Sequence, residues 1–281
     1  LDRVFSFEKK LSEIIPVLKK ERYDAIIDLH KNLRSFRVRC SLGVRSFSFD
    51  KINVQKWLFV NLKVNRLPQV HVVDRYLAAV AQLGIKNDGL GLDYFIKDEG
   101  GEEFVHSEIG KFRSNLQYVV FAIGAAHQTK RLPAEQIIAL CQQVKKPVIL
   151  LGGQAEEAEG AYIAKMSGKH VTNACGKLNL DESAFVIKAA EKVITHDTGM
   201  MHIAAAFQRE ILSVWGSTVP AFGMYPYYGN NVDKNTSFEV DNLPCRPCSK
   251  IGFDQCPKGH FHCMTKHNLA AIAAKANGET A

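Results

Sequence analysis

In the second half of the chain, short apolar runs alternate with longer stretches of helical spacing. The runs are 118–123 (YVVFAI), 147–151 (PVILL), 193–194 (VI) and 211–215 (ILSVW). Each is too short for a helix and is bounded by Gly or polar residues, which predicts buried strands. Between them, 133–144, 156–167, 180–190 and the Ala-rich 200–207 predict helices. Pro133 begins the first and Gly168 closes the second. Strands that alternate with helices need crossover connections, so the sheet is expected to be parallel and the class α/β.

The first third has the same character with weaker signals. Leu11, Ile14, Ile15 and Leu18 mark a helix within 7–20, with Pro16 placed to start or kink it. A buried-type strand at 25–29 (AIIDL) leads into the polar stretch 30–35 (HKNLRS). A further strand is expected at 44–49, and an amphipathic helix at 71–83 ending at Gly84. Three glycines, Gly100, Gly101 and Gly110, and several glutamates between residues 97 and 114 mark a domain boundary, which divides the chain into 1–105 and 106–281.

Strand ends are where open α/β sheets bind ligands. Three such ends carry candidate chemistry: His127-Gln128-Thr129-Lys130, Gly152-Gly153-Gln154-Ala155-Glu156, and Asp197-Thr198-Gly199. A helix beginning at Thr198 or Gly199 offers unpaired amides and the positive end of its dipole, and His202 lies one turn further on. A Lys at the first end and this helix N-terminus could grip a pyrophosphate from two sides, with Asp197 and Glu156 free to accept from hydroxyls. Asp-Thr-Gly before a helix also serves as a plain N-cap, and 30–35 as a solvated loop. The fingerprints G-x-G-x-x-G and G-x-x-x-x-G-K-[ST] are absent from these turns, which counts against oxidoreductase and P-loop readings.

Composition narrows this a little. The 281 residues are 46% hydrophobic, enough for two α/β domains, and no apolar run approaches the roughly 20 residues that span a bilayer. A formal charge of +7 suits anionic partners without choosing among them. Cys245-x-x-Cys248 with Cys256, Cys263, His260 and His262 nearby fits the first half of a zinc ribbon. A second C-x-x-C is missing, so metal, disulfide and free thiols all stay open.

The succession Gly124…Thr129-Lys130…Pro133, Leu151-Gly152-Gly153…Glu156, Gly176…Leu180, D-T-G-M-M-H-I-A-A-A at 197–206 and Trp215-Gly216-Ser217-Thr218 resembles glycosyltransferase family 9, the heptosyltransferases of lipopolysaccharide core assembly. Asp28-x-x-x-Asn32-x-Arg34-Ser35 is similar to that family's N-domain loop. The resemblance implies a GT-B fold, two Rossmann-like domains with parallel sheets. The first would lie on the acceptor side, with Asn32 and Arg34 as substrate contacts, and the second would bind the nucleotide sugar. It implies inverting, metal-independent transfer with no cofactor. The donor would be ADP-heptose and the acceptor a lipid A/Kdo-type glycolipid. The enzyme would be cytoplasmic, in peripheral contact with the inner membrane, and would bind no nucleic acid. By position, Lys130 would hold the donor phosphates and Glu156 the nucleoside, with Thr129 a further substrate contact. Asp197 would hold sugar hydroxyls, while Thr198, Gly199 and His202 would hold the pyrophosphate.

Two departures stand out. Leu132 replaces the family's usual Trp, a packing change. The family's opening strand and G-D turn, whose Asp serves as general base, do not precede Leu1, so the N-terminal domain is expected to be truncated. Within residues 1–105 His30 is the one stand-in, and Asp28 is a poor one because it lies within the strand. Two other functions stay in view: a catalytically silent nucleotide-sugar binder, and a zinc-containing nucleic-acid-binding protein resting on charge and cysteines alone.

Overall fold

A computed structural model of the chain describes residues 2–8, 10–97 and 117–279, together with positions 103 and 107. The boundary expected at 97–114 lies almost wholly outside the described residues. The chain forms two compact units, Leu1–Asn53 with Val70–Asn87 and Val54–Gln69 with Asp88–Ala281.

In the first unit a parallel pair, β1 (Ala25–Asp28) and β2 (Arg45–Ser48), runs in the register Ala25↔Arg45 to Asp28↔Ser48. Helices α1 (Leu11–Lys20), α2 (Leu33–Leu42) and α4 (Val72–Val80) accompany it. Pro16 sits inside α1 rather than at its start. The expected helix at 71–83 closes as α-helix at Val80 and continues as a 3₁₀ turn, Ala81–Leu83, which Gly84 ends in the left-handed conformation at φ 77°. Between these units of sequence lies α3 (Asn53–Leu62), which the apolar pattern did not reveal. From Val54 it groups with the second unit, where the Lys63 ammonium after it donates to the carbonyls of Cys245 (3.0 Å) and Pro247 (2.8 Å).

The second unit is built on a six-stranded, all-parallel sheet: β3 (Val119–Ala122), β4 (Val148–Leu151), β5 (Val171–Asn173), β6 (Lys192–His196), β7 (Glu210–Val214) and β8 (Asn235–Phe238). Their order is β5-β4-β3-β6-β7-β8. The chain therefore starts in the middle, builds outward to one edge, then returns to build the other, as in doubly wound dinucleotide-binding folds. Between these strands run α5 (Ala134–Cys141), α6 (Glu157–Ser167), α7 (Leu180–Ala189) and α8 (Gly199–Ala206). Helices α9 (His262–Thr265) and α10 (Leu269–Asn277) follow β8.

Every residue of β3, β4 and β6 is buried, which explains their continuous apolar runs, since a parallel sheet is covered on both faces. Alternate side chains go to opposite cores. Val119, Phe121 and Ile123 pack with Ile137, Leu140, Ile163 and Ile272. Tyr118 and Val120 pack with Val186, Ile187, Met201 and Ala204 on the other face. The Tyr118 hydroxyl, buried in this second core, donates to the carbonyl of Val186 at 2.7 Å and ties β3 to α7. Tyr118→Phe keeps the ring and leaves that carbonyl without its donor, so stability to urea should fall by about 1–2 kcal/mol. An unchanged unfolding midpoint would show that the bond contributes nothing net.

Candidate functional site

The sheet order reverses between β3 and β6, and their carboxyl ends open the crevice in which such sheets take ligands. From β3 the chain runs through Gly124-Ala125-Ala126 into a 3₁₀ turn, Gln128–Lys130, that presents Lys130. From β6 it passes directly to Asp197 and into α8. The Lys130 ammonium lies 2.7 Å from Asp197 Oδ2, both side chains only 13–14% exposed. Oδ2 also accepts the Thr218 hydroxyl at 2.8 Å. The two residues that the sequence assigned to phosphate and to sugar are thus partners of each other.

Thr129 is placed differently from the sequence expectation of a ligand contact. It is 2% exposed. Its hydroxyl accepts the amide of Phe253 (2.8 Å) and lies 2.9 Å from the Ser217 hydroxyl, while its amide donates to the Phe253 carbonyl (3.0 Å). It anchors the turn that carries Lys130. A second anchor is His196, fully buried, whose Nε2 accepts the amide of Leu132 at 3.1 Å. Leu132 itself is 1% exposed and fills core space.

Beside the pair lies a crevice of about 460 Å³, lined by Ala125, Leu151, Leu180, Met200 and Ile203, with Glu156 and with Thr198 and Gly199 in its wall. The Glu156 carboxylate accepts the Gly153 amide (2.9 Å) and pairs with Arg131 (3.1 Å), which also pairs with Glu159. Gly152 is required here, since a Cβ would come within 2.8 Å of Glu156 Cβ. At Gly199 the reverse holds: a Cβ would meet nothing within 4 Å, so the space above this helix start is open. Thr198 is the N-cap of α8 by backbone conformation, but its hydroxyl makes no capping bond and lies 3.5 Å from the Thr195 hydroxyl. The first amides of α8 have no acceptor within the helix. His202 is held below its usual range by burial, reinforced by the Lys130 charge and opposed by Asp197.

Asn32 and Arg34 belong to the first unit. Asn32 caps α2 by accepting the Ser35 amide (2.9 Å), and Arg34 is exposed beside a cavity of about 320 Å³ lined also by His30 and Ser35. Asp28 accepts from the amides of Lys31 and His30 and from the Ser35 hydroxyl. Burial would raise its pKa, but these bonds and Arg39 outweigh it and hold the carboxyl below the usual range. That makes it a weak base. All seven cysteines are free thiols. Among the described residues no three His, Cys, Asp or Glu side chains are grouped to hold a metal ion.

Arg131, Thr218 and the apolar lining escaped sequence reasoning. Arg131 had a signal, two glutamates three apart at the start of the helix after the neighbouring strand. Thr218 stood in the Trp215-Gly216-Ser217-Thr218 motif, but no role followed for it until the loop after β7 was placed.

An open, reversing parallel sheet with a helix N-terminus and a ligand-sized crevice at the switch point defines a Rossmann-like domain. A family model, glycosyltransferase family 9 (heptosyltransferase), matches residues 12–252, and the chain belongs to that family. Lipopolysaccharide heptosyltransferase 1 of Campylobacter coli is 24% identical over 269 residues, 86% of this chain and 75% of that protein. Its namesake from Escherichia coli K12 is 28% identical over 228 residues, 76% of this chain and 66% of that protein. In fold, the E. coli ADP-heptose heptosyltransferase II matches with TM-score 0.66 at 19% identity, over 95% of this chain and 79% of that one. A family 9 glycosyltransferase from Veillonella parvula matches with TM-score 0.69 at 20% identity, over 95% and 76%. E. coli heptosyltransferase WaaC, solved with ADP, matches with TM-score 0.54 at 21% identity, over 82% and 72%. These likenesses bear out the expected α/β, GT-B class. Among the described residues no helix is long and apolar enough to cross a membrane.

His196 is pushed down to about 3 and His267 to about 4, in both cases chiefly by burial. Below the unfolded value near 6.5 the unfolded chain therefore binds more protons than the folded one. Stability should be level above that pH and fall as the pH drops toward 4.5, by up to about 1.4 kcal/mol per pH unit for each histidine. Urea titrations at several pH values read this, and His196→Gln should flatten the slope. A midpoint constant from pH 7 to 4.5 would contradict it.

Proposed function

We propose that this protein transfers a heptose from ADP-heptose to a hydroxyl of a lipopolysaccharide inner-core acceptor, with inversion and without a metal ion. The observation that carries the reading is the Lys130–Asp197 pair at the start of α8, beside an apolar crevice at the switch point. Family membership supports it, as does the match to a heptosyltransferase solved with ADP.

On this reading the base enters the slot between Leu151, Leu180 and Met200, with Glu156 toward the ribose. The diphosphate lies over Thr198 and Gly199, with His202 adjacent. The acceptor oxygen attacks the anomeric carbon as the bond to the phosphate oxygen breaks on the opposite face, and its proton passes to a base on the acceptor side. The charge gathering on the departing diphosphate meets Lys130 and the amides of α8, electrostatic help of the kind a metal supplies elsewhere. Asp197 holds a sugar hydroxyl. Asn32 and Arg34 serve the acceptor, a lipid A/Kdo-type glycolipid met at the cytoplasmic face of the inner membrane.

Pairing with Asp197 sharpens the test. Lys130→Ala removes a charge-assisted donor and leaves Asp197 as an uncompensated anion, so ADP affinity should fall by about 1.5–3 kcal/mol by calorimetry. Asp197→Asn should bind free ADP more tightly than the unaltered protein. Unchanged ADP affinity in Lys130→Ala would overturn the assignment.

No pair of carboxylates has been assigned to the diphosphate, whereas Mg²⁺ binds through carboxylate and phosphate oxygens. ADP binding is therefore expected to survive EDTA. Its loss on chelation, with circular dichroism unchanged, would refute the electrostatic account.

A further inference from the structure

The Lys130–Asp197 pair poses a difficulty for the donor reading. A diphosphate that draws Lys130 toward itself removes one of the two donors on Asp197 Oδ2, and a carboxylate on a free side chain would then turn. The other donor is Thr218, at 2.8 Å. A hydroxyl carries no charge for a phosphate to attract, so this bond does not compete with the nucleotide.

Thr218 is itself held firmly. It is 1% exposed, and its carbonyl accepts from the Arg246 guanidinium at 3.0 Å. The same guanidinium donates to the Gly216 carbonyl (2.6 Å), the Val240 carbonyl (3.2 Å) and the Glu239 carboxylate (2.9 Å). Ser217, between them, donates its amide to Thr129 (3.1 Å) and accepts the Cys248 amide (3.0 Å). Gly216 cannot carry a side chain, because a Cβ would lie 2.5 Å from the Thr129 carbonyl. The loop after β7 is therefore locked to the turn that bears Lys130. Among the described residues Asp197 Oδ1 has no hydrogen-bond donor, whereas Oδ2 has two.

The geometry points to Thr218 as a positioning residue for the sugar half of the donor. Its hydroxyl fixes the Asp197 carboxylate through Oδ2 and keeps Oδ1 oriented for a sugar hydroxyl once Lys130 has turned to the diphosphate. The inference rests on the donor site proposed above and adds how that site separates a nucleotide sugar from a bare nucleoside diphosphate.

Thr218→Val is nearly isosteric and removes only the donor, while Thr218→Ser retains it. Affinities for ADP and for ADP-heptose are measured for both variants and the unaltered chain, with melting temperatures as a check on folding. Thr218→Val is expected to bind ADP within about twofold of the unaltered protein and ADP-heptose about tenfold more weakly, the scale of one hydrogen bond to a charged group. Thr218→Ser should restore the preference. Equal weakening toward both ligands, unchanged affinity for both, or no rescue by serine would each overturn the inference. If the unaltered chain binds no ADP, the donor reading itself fails and this inference falls with it. If it binds ADP and Thr218→Val keeps the full preference for the sugar nucleotide, only the role of Thr218 is lost.

Discussion

Burial of a parallel sheet on both faces is the constraint from which the rest follows. Backbone groups inside β3, β4 and β6 are paired along the ladders, and their side chains are consumed by two cores. Polar chemistry is thereby confined to the strand ends. It concentrates where the order reverses, because there the loops after β3 and β6 turn to opposite sides and leave a crevice. Lys130, Asp197 and the start of α8 come together for that reason, although the first two are 67 positions apart, 197 less 130.

Ions at the crevice are balanced before any ligand arrives. Lys130 faces Asp197, and Arg131 faces Glu156 and Glu159. Half-buried charges of this kind would be costly alone, and pairing offsets their desolvation. The arrangement also means that a ligand must exchange one set of partners for another, so its net affinity reflects the difference between two good geometries. The helix amides at Thr198 and Gly199 are the part of the site that requires no such exchange.

The apolar runs made β3, β4 and the β6–α8–β7 unit legible, because strands buried on both faces leave an uninterrupted pattern. The edges were not. β5 is three residues long, and β8 reads Asn-Thr-Ser-Phe with no residue buried; an edge strand covered only in part has little apolar signal. Helix α3 was hidden for a related reason, since Trp57 and Leu62 on it are exposed and no stripe stands out. At the site, local motifs pointed to Lys130, Asp197 and the helix start, whose roles depend on position relative to a strand end. Thr129 shows the limit. Next to Lys130 in sequence it looks like a ligand contact, yet its partners are Ser217 and Phe253, which no local pattern could supply.

That last contact has a bearing on how the molecule is made. Thr129 and Phe253 are 124 positions apart, and the Arg246 clamp on the loop after β7 lies equally late in the chain. During synthesis at about 5–20 residues per second, β3 to β7 leave the ribosome before either anchor does. The turn that carries Lys130 would wait for the tail. The same late segment completes the core, since Met264, Ile272 and Ala276 pack under the sheet, so the lysine turn and one face of the sheet are finished together.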